Sequence, residues 1–137
     1  MGAGARDAAV GETITGKPKT VTLERMRGFS GWPAKNIHTD EEFAREKGLR
    51  GPIASGTMYQ SCMAELMIDY FGAGWLSHGK MQVAFVRVIE PGDTITVKGT
   101  VQRKEPADAG VRVDFDIWCE NQRGEQVIVG TAYGLVG

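Results

Sequence analysis

The chain has 137 residues, 42% hydrophobic and 24% charged, with a formal net charge of −1, which suits one domain built on one core. No run of Lys or Arg exceeds two residues, so the clustered positive charge that nucleic acid or an anionic membrane surface requires is missing. No apolar run approaches the roughly 20 residues of a membrane span.

Taken in order, residues 1–12 carry no apolar segment of the kind a secretory signal needs and read as a flexible leader ahead of a single domain over 13–137. Thr13–Val21 has β-branched residues interrupted by Lys17-Pro18-Lys19, the pattern of a short edge strand or an extended lead-in. A short helix is expected over Thr22–Phe29, with Thr22 as its cap and Glu24 in the first turn. A second is expected over Thr39–Lys47, capped by Thr39 or Asp40 and stopped by Gly48. Gly51-Pro52 turns the chain, and a long helix then runs from Ser55–Gly56 to Phe71. Its apolar set (Met58, Cys62, Met63, Leu66, Met67, Tyr70, Phe71) covers much of the circumference and predicts a largely buried helix, with Glu65 and Asp69 as polar exceptions.

Gly72–Gly79 reads as a loop, after which the period changes from helical to alternating. Strands are expected over Lys80–Ile89, Thr94–Lys104, Val111–Glu120 and Gln126–Val136. Gly99 marks a bulge or a sharp bend in the second of these. Helices followed by a meander of strands indicate an α+β fold rather than a parallel α/β sheet. A one-sided antiparallel sheet needs a cover, and one long apolar helix is available to supply it. A sheet wrapped this way keeps free edges, so dimerisation is expected. Cys62 and Cys119 sit at apolar positions with no ligand-like spacing and read as two free thiols of a soluble cytoplasmic protein.

Within this frame, Asn36-Ile37-His38-Thr39-Asp40, Phe43-Ala44, Gly48-Leu49 and Gly51-Pro52-Ile53-Ala54-Ser55-Gly56-Thr57-Met58 resemble the hydratase segment of the MaoC-like acyl dehydratases, which include the (R)-specific enoyl-CoA hydratases. The strand at Lys80–Val88 and the turn Pro91-Gly92-Asp93-Thr94 are similar to the family's next elements. The resemblance implies a hotdog fold, a curved antiparallel sheet wrapped around one long central helix. It also implies an acyl thioester substrate, carried on CoA or an acyl carrier protein, and a homodimer or higher homo-oligomer with the site near the subunit interface. The implied reaction is hydration or dehydration at the α,β position, with no cofactor beyond the carrier's own phosphopantetheine. His38 matches the family's catalytic histidine and Gly56 the glycine whose amide polarises the thioester carbonyl. Ser61 falls near a supporting serine. Two positions depart from the pattern. The family's aspartate, in Asp-x-Asn-Pro-x-His, is replaced by Pro33, and the residue before the glycine, often His, is Ser55.

The residues themselves support such chemistry. The free amides and dipole at Ser55-Gly56-Thr57 favour the negative charge that a thioester oxygen gains as an enolate forms. An imidazole titrating near neutrality suits proton transfer, so His38 is the expected acid–base, against the alternative of a histidine that merely packs on the following helix. Asn36, Ser55, Thr57 and Ser61 are the expected substrate contacts, and Asp40 is an acid partner for His38 unless it caps the helix. His78 reads as a surface residue, and no metal site is expected from two distant histidines. Three further outcomes stay open: a cyclase or isomerase on a related thioester, a hotdog thioesterase using the same carbonyl site, and a non-catalytic acyl-binding or partner-stabilising subunit.

Overall fold

The computed structural model describes residues 8–137. The first seven residues of the expected leader lie outside the described residues. Ala8 is fully buried, its carbonyl accepts from Lys104 Nζ at 3.1 Å, and the Gly11 amide donates to Val101 O at 2.8 Å.

Beyond the leader, β1 (Thr13–Thr15) and β2 (Lys19–Thr20) both pair with β4 (Thr94–Ala107). Pro18 separates them, since it lacks the amide that a continuous ladder would use. Helix α1 (Leu23–Phe29) is capped by Thr22 Oγ1, which accepts from the Arg25 amide at 3.1 Å. Helix α2 (Glu41–Glu46) is capped by Asp40, whose Oδ2 accepts from the Phe43 amide at 2.9 Å. The choice between Thr39 and Asp40 thus falls on Asp40, and Thr39 is buried in the loop instead.

The central helix α3 (Gly56–Phe71) buries Tyr59, Met63, Leu66, Met67, Tyr70 and Phe71 against the sheet. Each such side chain contributes about 1.5–3 kcal/mol on removal from water. Burial is one-sided: Met58 and Cys62 are half-buried, and Ile68 is 41% exposed. The helix is thus largely buried, as the apolar set predicts, with its exposed side carrying Glu65, Ile68 and Asp69. Gly72, at φ 62°, ends it.

The expected loop over Gly72–Gly79 is instead a short helix, α4 (Ala73–His78). Packing decides this. A Cβ on Gly74 would lie 1.8 Å from Leu135 O, so only glycine lets α4 approach the neighbouring strand. Trp75 also stacks on Phe71 with ring centroids 6.0 Å apart.

Strands β3 (Lys80–Phe85), β4, β5 (Gly110–Glu120) and β6 (Gln126–Val136) complete one antiparallel sheet in the order β1-β4-β5-β6-β3. The last three strands form a meander, while β3 crosses over to pair with β6, not with β4. Val113, Phe115, Ile117 and Cys119 of β5 face the helix as the alternation requires, while Val111 at the strand's start is 37% exposed. Tyr70 meets Phe115 edge-on at 4.9 Å, a pairing that adds about 0.5–1.5 kcal/mol to the burial.

Two irregularities matter. Gly99 sits in regular register opposite Ile117, and the bulge falls between Val101 and Arg103. A second shift, where Cys119 pairs with Ile128 but Glu120 with Gln126, lets the consecutive residues Val127 and Ile128 both be buried. The Val127 carbonyl then accepts from the Val86 and Arg87 amides at 2.9 and 3.3 Å. The expected strand over Lys80–Ile89 therefore ends at Phe85. The chain beyond it leaves the ladder and runs beside the start of α3, where the Ala54 amide donates to Ile89 O at 2.7 Å. The whole is a hotdog fold, a curved sheet with α3 laid along its inner face.

Candidate active site

The loop from Ser30 to Asp40 is organised by Asn36 and Thr39. Asn36 Oδ1 accepts from the His38 amide at 2.8 Å, and its Nδ2 donates to Ser30 O at 3.1 Å. Thr39 Oγ1 accepts from the Asn36 amide at 3.0 Å and donates to Ala34 O at 2.7 Å. Arg27 Nε reaches the Thr39 carbonyl at 2.9 Å, and its guanidinium lies 3.9 Å from the centroid of the Trp32 ring. These bonds are local Asx-type and hydroxyl contacts, which explains why a loop without secondary structure holds one shape.

The loop delivers His38 to the strand-like segment before α3. The Ile53 amide donates to Ile37 O at 3.0 Å, and His38 Nδ1 lies 2.8 Å from Ile53 O. A carbonyl only accepts, so Nδ1 is the donor in this bond and Nε2 is the nitrogen left to exchange a proton. The tautomer is thus set by a backbone carbonyl rather than by a carboxylate.

His38, Gly56 and Thr57 line one cavity of about 380 Å³. Its remaining wall is mostly apolar: Ile53 and Ala54 on one side, Phe85 to Ile89 on another, and Ile128 beneath. Among the described residues that line it, none is a carboxylate. The Gly56 and Thr57 amides that open α3 have no partner within the helix, and Ser55 makes no side-chain cap bond to occupy them. Gly56 packs closely here: a Cβ would fall 2.7 Å from Phe85 Cε1 and would have to push the ring aside. The arrangement therefore holds a proton acceptor and unpaired amide donors around one open, largely hydrocarbon-lined space.

The other residues singled out in the sequence lie elsewhere. Asn36 braces the His38 loop and does not line the cavity. Asp40 caps α2. Ser55 precedes α3 without lining the cavity. Ser61 is exposed, and its hydroxyl donates to the Met58 carbonyl one turn back. Pro33, in the place of the family aspartate, is exposed beyond the cavity wall. Glu65 is on the outer side of α3 in an ion pair with Lys19 at 3.3 Å, and His78 is exposed at the end of α4. The wall from Phe85 to Ile89 was not anticipated as part of the site. Its signal in the sequence is that both faces of Val83–Ile89 are apolar, unlike the strict alternation of β5.

Cys119 is fully buried, and burial pushes its thiol up to about 12. Burial likewise raises the thiol of half-buried Cys62. Neither lines the cavity. Among the described residues, no group of three or more His, Cys, Asp or Glu side chains is placed to hold a metal ion, and no helix is long and apolar enough to cross a membrane.

This fold has known counterparts. The chain is similar to a monoamine oxidase regulatory protein from Archaeoglobus fulgius, with 28% identity over 94% of this chain and 90% of that one, at a TM-score of 0.76. It is similar to a MaoC-like dehydratase from Rhodospirillum rubrum, with 25% identity over 95% and 93% of the two chains and a TM-score of 0.78. The R-hydratase PhaJ1 from Pseudomonas aeruginosa shares the fold at 22% identity, 96% and 84% coverage and a TM-score of 0.76. No curated protein matches in sequence. The family model described as the MaoC like domain matches residues 6–120. With that match spanning most of its length, the chain belongs to the MaoC-like dehydratase family.

Proposed function

We propose that this protein adds water to, or removes it from, the α,β position of an acyl thioester, with His38 moving the protons. The observation that carries this reading is the pairing of a tautomer-fixed imidazole with the open start of α3 around one cavity. In the hydration direction, His38 Nε2 accepts a proton from water as the water oxygen bonds to the β-carbon. The electron pair of the double bond moves toward the thioester carbonyl, whose oxygen gains charge beside the Gly56 and Thr57 amides. The imidazolium then returns that proton to the α-carbon, which restores the carbonyl and the neutral ring. One base serves both transfers, so no aspartate is needed at position 33. The Ile53 carbonyl holds the ring through Nδ1–H in both charge states. The step uses only side-chain and backbone groups of the chain and the substrate.

Fold relatives support an acyl substrate, in one case on an acyl carrier protein. One is described as an (R)-hydratase from A. caviae involved in PHA biosynthesis, another as the 3R-hydroxyacyl-ACP dehydratase complex HadBC from Mycobacterium tuberculosis. The latter and the ChsH1-ChsH2 complex from the same organism are assemblies of two chains. For this chain a second copy is the expected partner. β3 is the outermost strand on its side of the sheet, and Phe85, Val86 and Val88 beside the cavity are each 52–53% exposed. Pairing along this edge would cover the apolar segment and close the cavity.

The test is to incubate the protein with crotonyl-CoA and follow loss of the enoyl absorbance together with release of free thiol. Wild type is expected to hydrate without thiol release, and His38→Ala to lose about 10²–10⁴ of the rate. Thiol release without hydration would establish the thioesterase instead. Undiminished hydration by His38→Ala would remove His38 from the chemistry.

A further inference from the structure

Among the described residues lining the cavity, Arg87 is the one permanently charged side chain, and the mechanism gives it no task. Its side chain is 59% exposed at the cavity's mouth, so water solvates the charge and its donors stay accessible to a ligand. Its wall neighbours Phe85, Val86, Val88 and Ile89 are apolar. The acid that faces it is Glu125, at 3.9 Å from Arg87 Nη1 to Glu125 Oε2, beyond hydrogen-bond range. Glu125 is committed elsewhere. Its Oε1 accepts from Asn121 Nδ2 at 2.9 Å and from Arg123 Nε at 2.8 Å. These two contacts hold the Glu125 carboxyl below its ordinary range, and Arg87 contributes least to that depression. Arg87 therefore keeps its donors free while Glu125 steadies it from a distance. Its backbone is fixed as well, through the amide bond to Val127 O at 3.3 Å. A planar cation with open donors, at the mouth of a cavity that also holds a proton acceptor and helix amides, matches a carboxylate or phosphate.

We infer that Arg87 binds an oxyanion of the substrate, either a carboxylate on the acyl tail or a phosphate of the carrier arm. This rests on the acyl-thioester reading of the same cavity. Arg87 touches neither reacting carbon in that scheme. It selects which thioester is held.

The experiment is equilibrium binding, which needs no turnover. Butyryl-CoA (phosphates, neutral tail), butyryl-pantetheine (no phosphates) and succinyl-CoA (phosphates and a tail carboxylate) are titrated into wild type, Arg87→Gln, Arg87→Lys and the control Arg123→Gln, which shares Glu125 but lines no cavity wall. A lost charged hydrogen bond predicts at least a tenfold rise in Kd for Arg87→Gln, with Arg87→Lys in between. A rise for both CoA esters with butyryl-pantetheine unchanged assigns the phosphate. A rise for succinyl-CoA alone assigns the tail carboxylate. Either upholds the inference. It is overturned if Arg87→Gln stays within twofold of wild type for all three ligands, if all three weaken together, or if Arg123→Gln reproduces the effect. Binding by wild type without hydration of crotonyl-CoA would defeat the proposed reaction and leave Arg87 its role. Binding of none of the three would defeat both.

Discussion

Gly56→Ala separates the two jobs of the helix start. The added Cβ would stand 2.7, 2.8 and 3.0 Å from Cε1, Cδ1 and Cζ of Phe85. Ordinary carbon contact is about 3.5–4.0 Å, so the ring must retreat by roughly 1 Å or swing away. Phe85 is 52% exposed at the sheet edge, so it has room to move. Overpacking costs typically 1–3 kcal/mol, and the low end applies where the neighbour yields. Replacing glycine in a helix returns about 0.5–1 kcal/mol. The net stability change is therefore expected within about 1 kcal/mol. Activity should respond far more, since a displacement near 1 Å at a reacting site costs on the order of 10²-fold. The assay is kcat/KM for crotonyl-CoA hydration beside urea unfolding, for Gly56→Ala, Phe85→Ala and the pair. If the clash is the cause, Gly56→Ala should be nearly silent in the Phe85→Ala background, where no ring remains to collide. An equal loss in both backgrounds would refute the steric account.

Three other outcomes are expected. Gly74→Ala sets a Cβ 1.8 Å from Leu135 O, a backbone atom that cannot rotate aside, so thermal or urea unfolding should show a loss of about 2–4 kcal/mol; a loss below 1 would mean α4 is free to shift. With the Cys119 thiol pushed up to about 12 by burial, a thiol-reactive dye at pH 8 should label Cys119 only after denaturation, while half-buried Cys62 reacts slowly in the native protein; rapid native labelling of both would contradict the burial. The Glu120 carboxyl lies below its ordinary value of 4.5, chiefly through the Trp118 Nε1 bond at 2.9 Å and then through Lys98. A depressed carboxylate adds stability that is present above its unfolded value and is lost as pH falls through the folded one. The urea midpoint should accordingly fall more steeply below pH 4.5 in wild type than in Glu120→Gln, and identical acid limbs would dismiss the contribution.

Local rules in the sequence account for a large part of the fold. Thr22 and Asp40 cap their helices because a short oxygen-bearing side chain satisfies free amides wherever a helix begins. The alternation Val113, Phe115, Ile117, Cys119 selects the inner face of β5, since the strand period fixes which side each residue takes. The period change after Gly79 marks where the helices give way to the last four strands. The start of α3 at Gly56 and the placing of His38 in a loop ahead of it are likewise legible in the turn residues around them.

Tertiary structure decided what nothing local could. α4 forms from a segment with loop composition because Gly74 and Trp75 find partners in β6 and α3. β3 pairs with β6 across more than forty residues of chain, a choice that depends on closing the sheet around the helix. The shift at Val127 turns Val86–Ile89 out of the sheet and makes it a cavity wall. The partner of His38 is the Ile53 carbonyl, and a backbone carbonyl has no signature in the amino-acid code. The family resemblance marks an aspartate absent at position 33, and only the folded loop shows that the imidazole meets a main-chain acceptor.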